Sequence, residues 1–124
     1  MRNPVISVPE MIATTDIPDW SYSEFGLPYE SNGVVTNPAA SALLHSRSPI
    51  STVRDILAPV YLLIGEDDQR VPPSQGKNFY HALKGLGKVA EMLVFPGSGH
   101  PLDQVESMRM SFETLRGWFN AYKE

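Results

Sequence analysis

Apolar and polar positions follow a regular order from residue 59 to the end of the chain. Residues 59–64 and 89–95 are nearly continuous apolar runs, a pattern typical of parallel strands that helices cover on both faces. Residues 73–86 carry apolar side chains at helical spacing, at positions 79, 82, 83 and 86, and end near two glycines. The pattern therefore predicts a βαβα unit over residues 59–124, which belongs to the α/β class.

The last helix of this unit has the strongest periodicity in the chain. Apolar residues recur at alternating spacings of three and four, at Val105, Met108, Phe112, Leu115, Phe119 and Tyr122. This spacing predicts one helix with a single apolar stripe, and we expect the aromatic stripe to pack in the core.

Residues 1–58 lack this regular pattern and contain six prolines and short polar interruptions. They predict an irregular segment with short helices near residues 8–15, 19–25 and 37–46. In the third helix, Asn37 is the expected N-cap and Pro38 occupies the first helical position. The Ser48-Pro49-Ile50 string is expected to end that segment.

Composition and charge narrow the functional classes. The 124 residues carry a formal charge of −4 without a basic run, which argues against nucleic acid or an anionic membrane as the main partner. The absence of cysteine excludes disulfides and thiolate metal sites. No apolar run approaches the roughly 20 residues of a membrane span, and no signal peptide is recognisable. We expect a cytoplasmic protein that needs neither a metal nor a cofactor.

Two loops follow the predicted strands and carry the candidate chemistry. The acid loop, residues 65–72, places Asp68 four positions after the first apolar run. The histidine loop, residues 96–100, places His100 five positions after the second. The carboxyl ends of parallel strands share one edge of a sheet, so the two side chains are expected to meet there. A carboxylate paired with one ring nitrogen would fix the histidine tautomer, as in the nucleophile, acid, histidine order of α/β-hydrolases.

Alternative interpretations of these loops remain open at this point. Asp67 is an alternative to Asp68 as the acid. The Gly-Glu-Asp-Asp turn could also serve only to end the strand. His100 could be a structural or solvent-exposed histidine without a catalytic role. His45 and His81 are expected at the surface. No Gly-x-Ser-x-Gly turn occurs in the chain; Ser98 and Ser7 are weaker candidate nucleophiles because neither has the elbow's glycines two positions before and two positions after the serine.

Several strings together carry a resemblance to a known family: Arg2-Asn3-Pro4-Val5-Ile6, Thr15-Asp16-Ile17-Pro18-Asp19-Trp20, Ser48-Pro49-Ile50, the acid loop with Gln75-Gly76, and Gly99-His100. They resemble the C-terminal end of the acylaminoacyl-peptidases, a branch of the prolyl oligopeptidase family of serine peptidases. The resemblance covers essentially the whole chain.

The resemblance implies roles for particular residues. The aspartate two positions before the arginine of an Arg-Val pair is the acid in this family, which selects Asp68, and the histidine of the triad falls on His100. Arg70 would contact a substrate carbonyl and Val71 would line the specificity pocket. Trp20 would lie near the pocket, with core packing as the alternative.

The resemblance also implies an activity and an architecture. Residues 1–124 would form the C-terminal portion of an α/β-hydrolase catalytic domain, truncated before the nucleophile elbow, and the substrate would be a short N-acylated peptide. We expect the chain alone to be inactive, to expose an unpaired strand edge and an uncovered apolar face, and to associate, for example as a homo-oligomer. An esterase or lipase of the same fold, or a non-catalytic partner of a full-length enzyme, are the alternatives.

Overall fold

Two parallel strands form the centre of the fold. The structure is a computed structural model that describes residues 1–29 and 37–123. In chain order the elements are α1 (Val8–Ile12), α2 (Pro18–Glu24), α3 (Pro38–Ser46), a 3₁₀ helix (Pro49–Asp55), β1 (Val60–Gly65), α4 (Pro73–Gly85), β2 (Ala90–Phe95) and α5 (Val105–Ala121). The predicted strand, helix, strand, helix order after residue 59 is confirmed.

The strands pair in parallel, from Val60 opposite Ala90 to Gly65 opposite Phe95. Because side chains alternate along a strand, β1 contributes to two apolar clusters. Leu62 and Ile64 pack with Phe79 and Leu83 of α4 on one face of the sheet. On the other face, Leu63 packs with a second cluster; this cluster comprises Phe95 and Leu102, with Tyr61, Leu93, Met110 and Leu115 at its margin.

The first three residues lie beside the other edge of β1. The backbone N–H of Leu63 donates to the carbonyl of Met1 at 2.9 Å, and the N–H of Asn3 donates to the carbonyl of Leu63 at 2.9 Å. Arg2 and Leu63 form an isolated parallel bridge. This pairing carries residues 1–3 to the carboxyl end of β1, where both candidate loops begin.

Helices α1, α2 and α3 share a separate small core that includes Val8, Ile12, Tyr22 and Leu44. The N-cap prediction is confirmed, since Asn37 Oδ1 accepts the backbone N–H of Ala39 at 2.9 Å. Helix α1 ends at Ile12, three residues before the predicted end. The 3₁₀ helix was not predicted; it begins at Pro49, where sequence patterns indicated only the end of a segment. Residues 30–36 of the predicted irregular segment lie outside the described residues.

Helix α5 has the predicted extent, but the expectation that its aromatic stripe lies in the core is wrong. Val105, Met108, Phe112 and Phe119 are between 52% and 81% exposed. The helix instead buries Ser107 and Ser111, and Leu115 contacts the Leu63 cluster. Helical periodicity identifies an apolar face without identifying what lies opposite it, and here the two-stranded sheet meets the neighbouring face.

The helices were compared with the length and hydropathy that a membrane-spanning helix needs. Among residues 1–29 and 37–123, no helix combines the length and the apolar character needed to cross a bilayer.

Candidate active site

Asp68 and His100 form a hydrogen-bonded pair at the carboxyl edge of the sheet. Asp68 Oδ2 and His100 Nδ1 are 2.8 Å apart. The Asp68 side chain is fully buried, whereas the His100 side chain is 46% exposed. Asp68 Oδ1 accepts the backbone N–H groups of Arg70 and Val71, each at 2.9 Å. A buried carboxylate needs such donors, and three of them hold this one in a fixed orientation.

Backbone hydrogen bonds interlock the acid loop with the histidine loop. The N–H of Glu66 donates to the carbonyl of Phe95 and the N–H of Asp67 donates to the carbonyl of Ser98, both at 3.0 Å. Asp67, the rival carboxylate, is exposed, and the ring of His100 is hydrogen-bonded to Asp68. The geometry therefore brings Asp68, and not its neighbour, to the histidine.

The two weaker nucleophile candidates have hydrogen-bond partners other than the histidine ring. Ser98 is 1% exposed, and its hydroxyl is 2.8 Å from the hydroxyl of Ser107. Ser7 is 4% exposed, and its backbone N–H donates to the side chain of Gln75. Neither hydroxyl is hydrogen-bonded to His100.

A cavity of about 430 Å³ opens beside His100. This volume falls in the range of small-ligand sites, roughly 300–1,000 Å³. Five apolar and four polar residues line the cavity: Val5, Met11, Ile17, Trp20 and Val71, and Arg2, Asn3, Arg70 and His100. The lining combines an apolar body with a few polar groups near the ring.

The structure brings the other sequence-predicted residues to this cavity. Val71 is buried in its wall, and Trp20 is 43% exposed at the cavity, so Trp20 does not pack in the core. Arg70 lies at the rim, where Nε is 3.2 Å from Asp16 Oδ1. The hydroxyl of Thr15 donates to the Arg70 carbonyl at 2.7 Å. The segment before α2 is therefore hydrogen-bonded to the acid loop.

Sequence patterns gave no role to two polar residues that organise the site. Gln75, which is 1% exposed, accepts the backbone N–H groups of Ile6 and Ser7 at 3.0 and 2.7 Å. Asn3, which is 5% exposed, joins the ends of both loops. Both lie in strings that carried the family resemblance, but their contacts span more than sixty positions along the chain.

The described part of the chain offers no cluster of three or more histidine, aspartate or glutamate side chains that could hold a metal ion. The site consists instead of a carboxylate, an imidazole and an adjoining cavity. A carboxylate-oriented imidazole can accept a proton from a hydroxyl and later return it to a leaving group.

Comparisons with known proteins identify the family of the chain. Residues 3–124 match the model of the prolyl oligopeptidase family. The chain is 39% identical over 121 residues to the acylamino-acid-releasing enzyme of Mus musculus, covering 98% of this chain and 16% of the relative. It is 39% identical over 124 residues to the enzyme of the same name from Arabidopsis thaliana, with the same coverage of 98% and 16%. The chain thus spans 16% of the length of the curated relatives that it matches.

A solved structure extends the comparison to the fold. The acylaminoacyl peptidase of Pyrococcus horikoshii superposes with a TM-score of 0.78 and 23% identity, covering 96% of this chain and 19% of that one. The two parallel strands with their flanking helices therefore have the architecture of part of an α/β-hydrolase fold.

Proposed function

Because the chain belongs to the prolyl oligopeptidase family, we propose that it supplies the acid and the base of a serine peptidase that releases N-acylated amino acids from short peptides. The acid is Asp68 and the base is His100. The observation that carries the proposal is their 2.8 Å hydrogen bond beside an open cavity. The names of the curated relatives, acylamino-acid-releasing enzymes, support the substrate class.

The proton chemistry follows from the geometry of the pair. An ionised Asp68 only accepts, so Nδ1 of His100 carries the proton that faces it and Nε2 has the free lone pair. Nε2 removes the proton from a serine hydroxyl as that oxygen attacks the carbonyl carbon of the substrate. The resulting imidazolium, stabilised by Asp68, then protonates the leaving amine, and a water molecule repeats the sequence on the acyl-enzyme.

Arg70, Val71 and Trp20 bind the substrate in this proposal. Arg70 lies at the cavity rim, where its guanidinium can donate to a substrate carbonyl. The side chains of Val71 and Trp20 provide apolar surface for the residue that bears the acyl group. The nucleophile belongs to a Gly-x-Ser-x-Gly turn, which the 124 residues do not contain. We therefore expect the isolated chain to hydrolyse no acyl-peptide at a useful rate.

The test uses the full-length protein rather than the isolated 124 residues. It is recovered from the source organism with an antibody against residues 60–123. We expect it to react with a fluorophosphonate probe and to cleave acetyl-alanyl p-nitroanilide in preference to a p-nitrophenyl ester. Asp68→Asn, introduced at the gene, should lower kcat/KM by about 10⁴-fold because the histidine loses its oriented tautomer. Asp67→Asn is the matched control and should change little, since the Asp67 side chain is exposed.

The outcomes separate the candidate functions. Preferential cleavage of the ester would favour an esterase. Recovered protein that reacts with no probe but copurifies with a full-length peptidase would identify a non-catalytic partner. Equal losses from the substitutions at positions 67 and 68 would contradict the assignment of the acid.

A further inference from the structure

The side chain of Asn3 links the acid loop to the histidine loop. Its Oδ1 accepts the backbone N–H of Gly65 at 2.8 Å, where β1 ends and the acid loop begins. Its Nδ2 donates to the carbonyl of His100 at 2.8 Å, and a longer contact of 3.5 Å reaches the carbonyl of Gly99. Asn3 thus contacts the backbone of the very residue that carries the proposed base.

The backbone of Asn3 is fixed independently of this link. Its N–H donates to the carbonyl of Leu63 at 2.9 Å, and its φ of 36° lies in the left-handed region. Asparagine tolerates this region better than most residues because its short polar side chain bonds locally. Asparagine therefore satisfies two demands at position 3, the backbone conformation and a side chain with both a donor and an acceptor.

The two members of the Asp68–His100 pair are anchored unequally. Asp68 is buried and held by two main-chain N–H groups of its own loop. The ring of His100 is half-exposed, and among residues 1–29 and 37–123 the hydrogen bond to Asp68 is the one that holds it. The direction of the ring therefore depends on how firmly the surrounding backbone is held.

A second left-handed residue follows the histidine. Leu102 has a φ of 49° and is fully buried, and apart from glycines it shares this conformation with Asn3 alone among residues 1–29 and 37–123. Conformations of this kind cost free energy and persist where the surrounding structure fixes them. The backbone at His100 thus passes between the Asn3 amide and a strained, buried leucine.

We infer that Asn3 is a positioning residue of the proposed active site, which fixes the backbone of His100 so that Nδ1 faces Asp68. The inference rests on the proposed function for its catalytic meaning, but the link itself is measurable in the 124-residue chain. Removal of the Asn3 donor leaves the His100 carbonyl without its partner and allows the histidine loop to move away from β1.

The test measures how fast the Nδ1 proton of His100 exchanges with water, by NMR of chain labelled with ¹⁵N-histidine. His100→Gln assigns the signal. Asn3→Asp keeps the acceptor for Gly65 and the backbone preference but removes the donor. Asn3→Gly keeps the backbone freedom and removes both contacts. We expect exchange to become roughly fivefold faster or more in both variants.

Asn37→Ala is the matched control because it removes an N-cap, and so lowers stability, far from the histidine loop. We expect it to leave the exchange rate unchanged. Unchanged exchange in Asn3→Asp, or equally fast exchange in Asn37→Ala, would overturn the inference. A wild-type ring without a proton on Nδ1 would instead refute the proposed Asp68–His100 chemistry, which keeps the two failures distinguishable.

Discussion

Gly65 faces the carbonyl oxygen of Gly99 so closely that a Cβ atom at position 65 would lie 2.6 Å from it, and equally close to the carbonyl oxygen of Ser98. Both oxygens belong to the backbone of the histidine loop, so neither can rotate away as a side chain would. The absence of a side chain at position 65 thus allows the acid loop and the histidine loop to meet.

Gly65→Ala should separate the two loops. We expect the free energy of unfolding to fall by about 1–3 kcal/mol, because the backbone must shift to accept the new methyl group. The Nδ1 proton of His100 should also exchange faster with water, since its bond to Asp68 lengthens. Urea unfolding and the NMR experiment on labelled histidine measure the two effects.

Gly117→Ala is the control for that substitution. A Cβ atom at Gly117 meets no other atom within 4 Å, and the residue lies inside α5. We expect this variant to gain about 0.5–1 kcal/mol, because alanine loses less backbone entropy in a helix than glycine. A loss of stability equal to that of Gly65→Ala would show that contact with the histidine loop is not the cause.

The free energy of unfolding should fall in alkaline solution because Tyr61 ionises. Burial, and secondly the negative charge of Glu91, raise the pKa of the Tyr61 hydroxyl above its ordinary value of 10.0. The folded state therefore disfavours the tyrosinate. The stability contribution is complete below about pH 10 and is lost as the pH rises through the raised pKa.

Urea unfolding from about pH 8 to about pH 11 tests this expectation. Tyr61→Phe removes the ionising hydroxyl but keeps the aromatic ring. That ring packs edge-on against Trp118, with the ring centroids 5.1 Å apart. The stability of the wild type should decline more steeply above about pH 10 than that of the variant. Parallel curves for the two proteins would contradict the expectation.

The cavity should bind the acylated end of a substrate even in the 124-residue chain. We expect N-acetyl-alaninamide to shift the NMR signals of Trp20 and His100, with a dissociation constant on the order of millimolar because only part of a site is present. Arg70→Met should weaken binding by about tenfold through loss of a charged donor.

Arg47→Met is the matched control for ligand binding. Arg47 is an exposed arginine at the end of α3, and it does not line the cavity. Weakening equal to that of Arg70→Met would indicate a general charge effect. Shifts at Trp118 as large as those at Trp20 would show that the ligand binds elsewhere.

The exposed apolar face of α5 should make the chain self-associate. Sedimentation should show a mass that rises with concentration, and Phe112→Glu should reduce this rise while changing stability little, because Phe112 is 68% exposed. Leu115→Glu, on the packed side of the same helix, should instead lower the free energy of unfolding by about 1–3 kcal/mol. A wild type that remains a monomer at all concentrations would contradict this prediction.

The sequence predicted what depends on local order. Apolar runs followed by polar loops gave the parallel strands, and the positions of Asp68 and His100 just beyond the strand ends indicated a common edge. Asn37 before Pro38 specified a helix start, because an N-cap involves only neighbouring residues. Choosing Asp68 over Asp67 needed the family resemblance, since adjacent loop residues differ only in their orientation.

Contacts between distant segments could not be predicted in the same way. The Asn3 amide reaches a carbonyl 97 positions away, and the Asp16 carboxylate pairs with Arg70 across 54 positions. The buried side of α5 was also misjudged, because two serines rather than the aromatic residues face inward there. Such choices depend on which surfaces are available in the folded chain.

Two of the three donors that hold Asp68 are main-chain groups, and this has an evolutionary consequence. Any residue except proline at positions 70 and 71 retains an N–H, so exchanges there leave the carboxylate tethered while the walls of the neighbouring cavity change. Substitutions at these two positions can therefore change the cavity wall while the main-chain contacts to Asp68 persist. A loop built in this way is suited to diversification within a lineage.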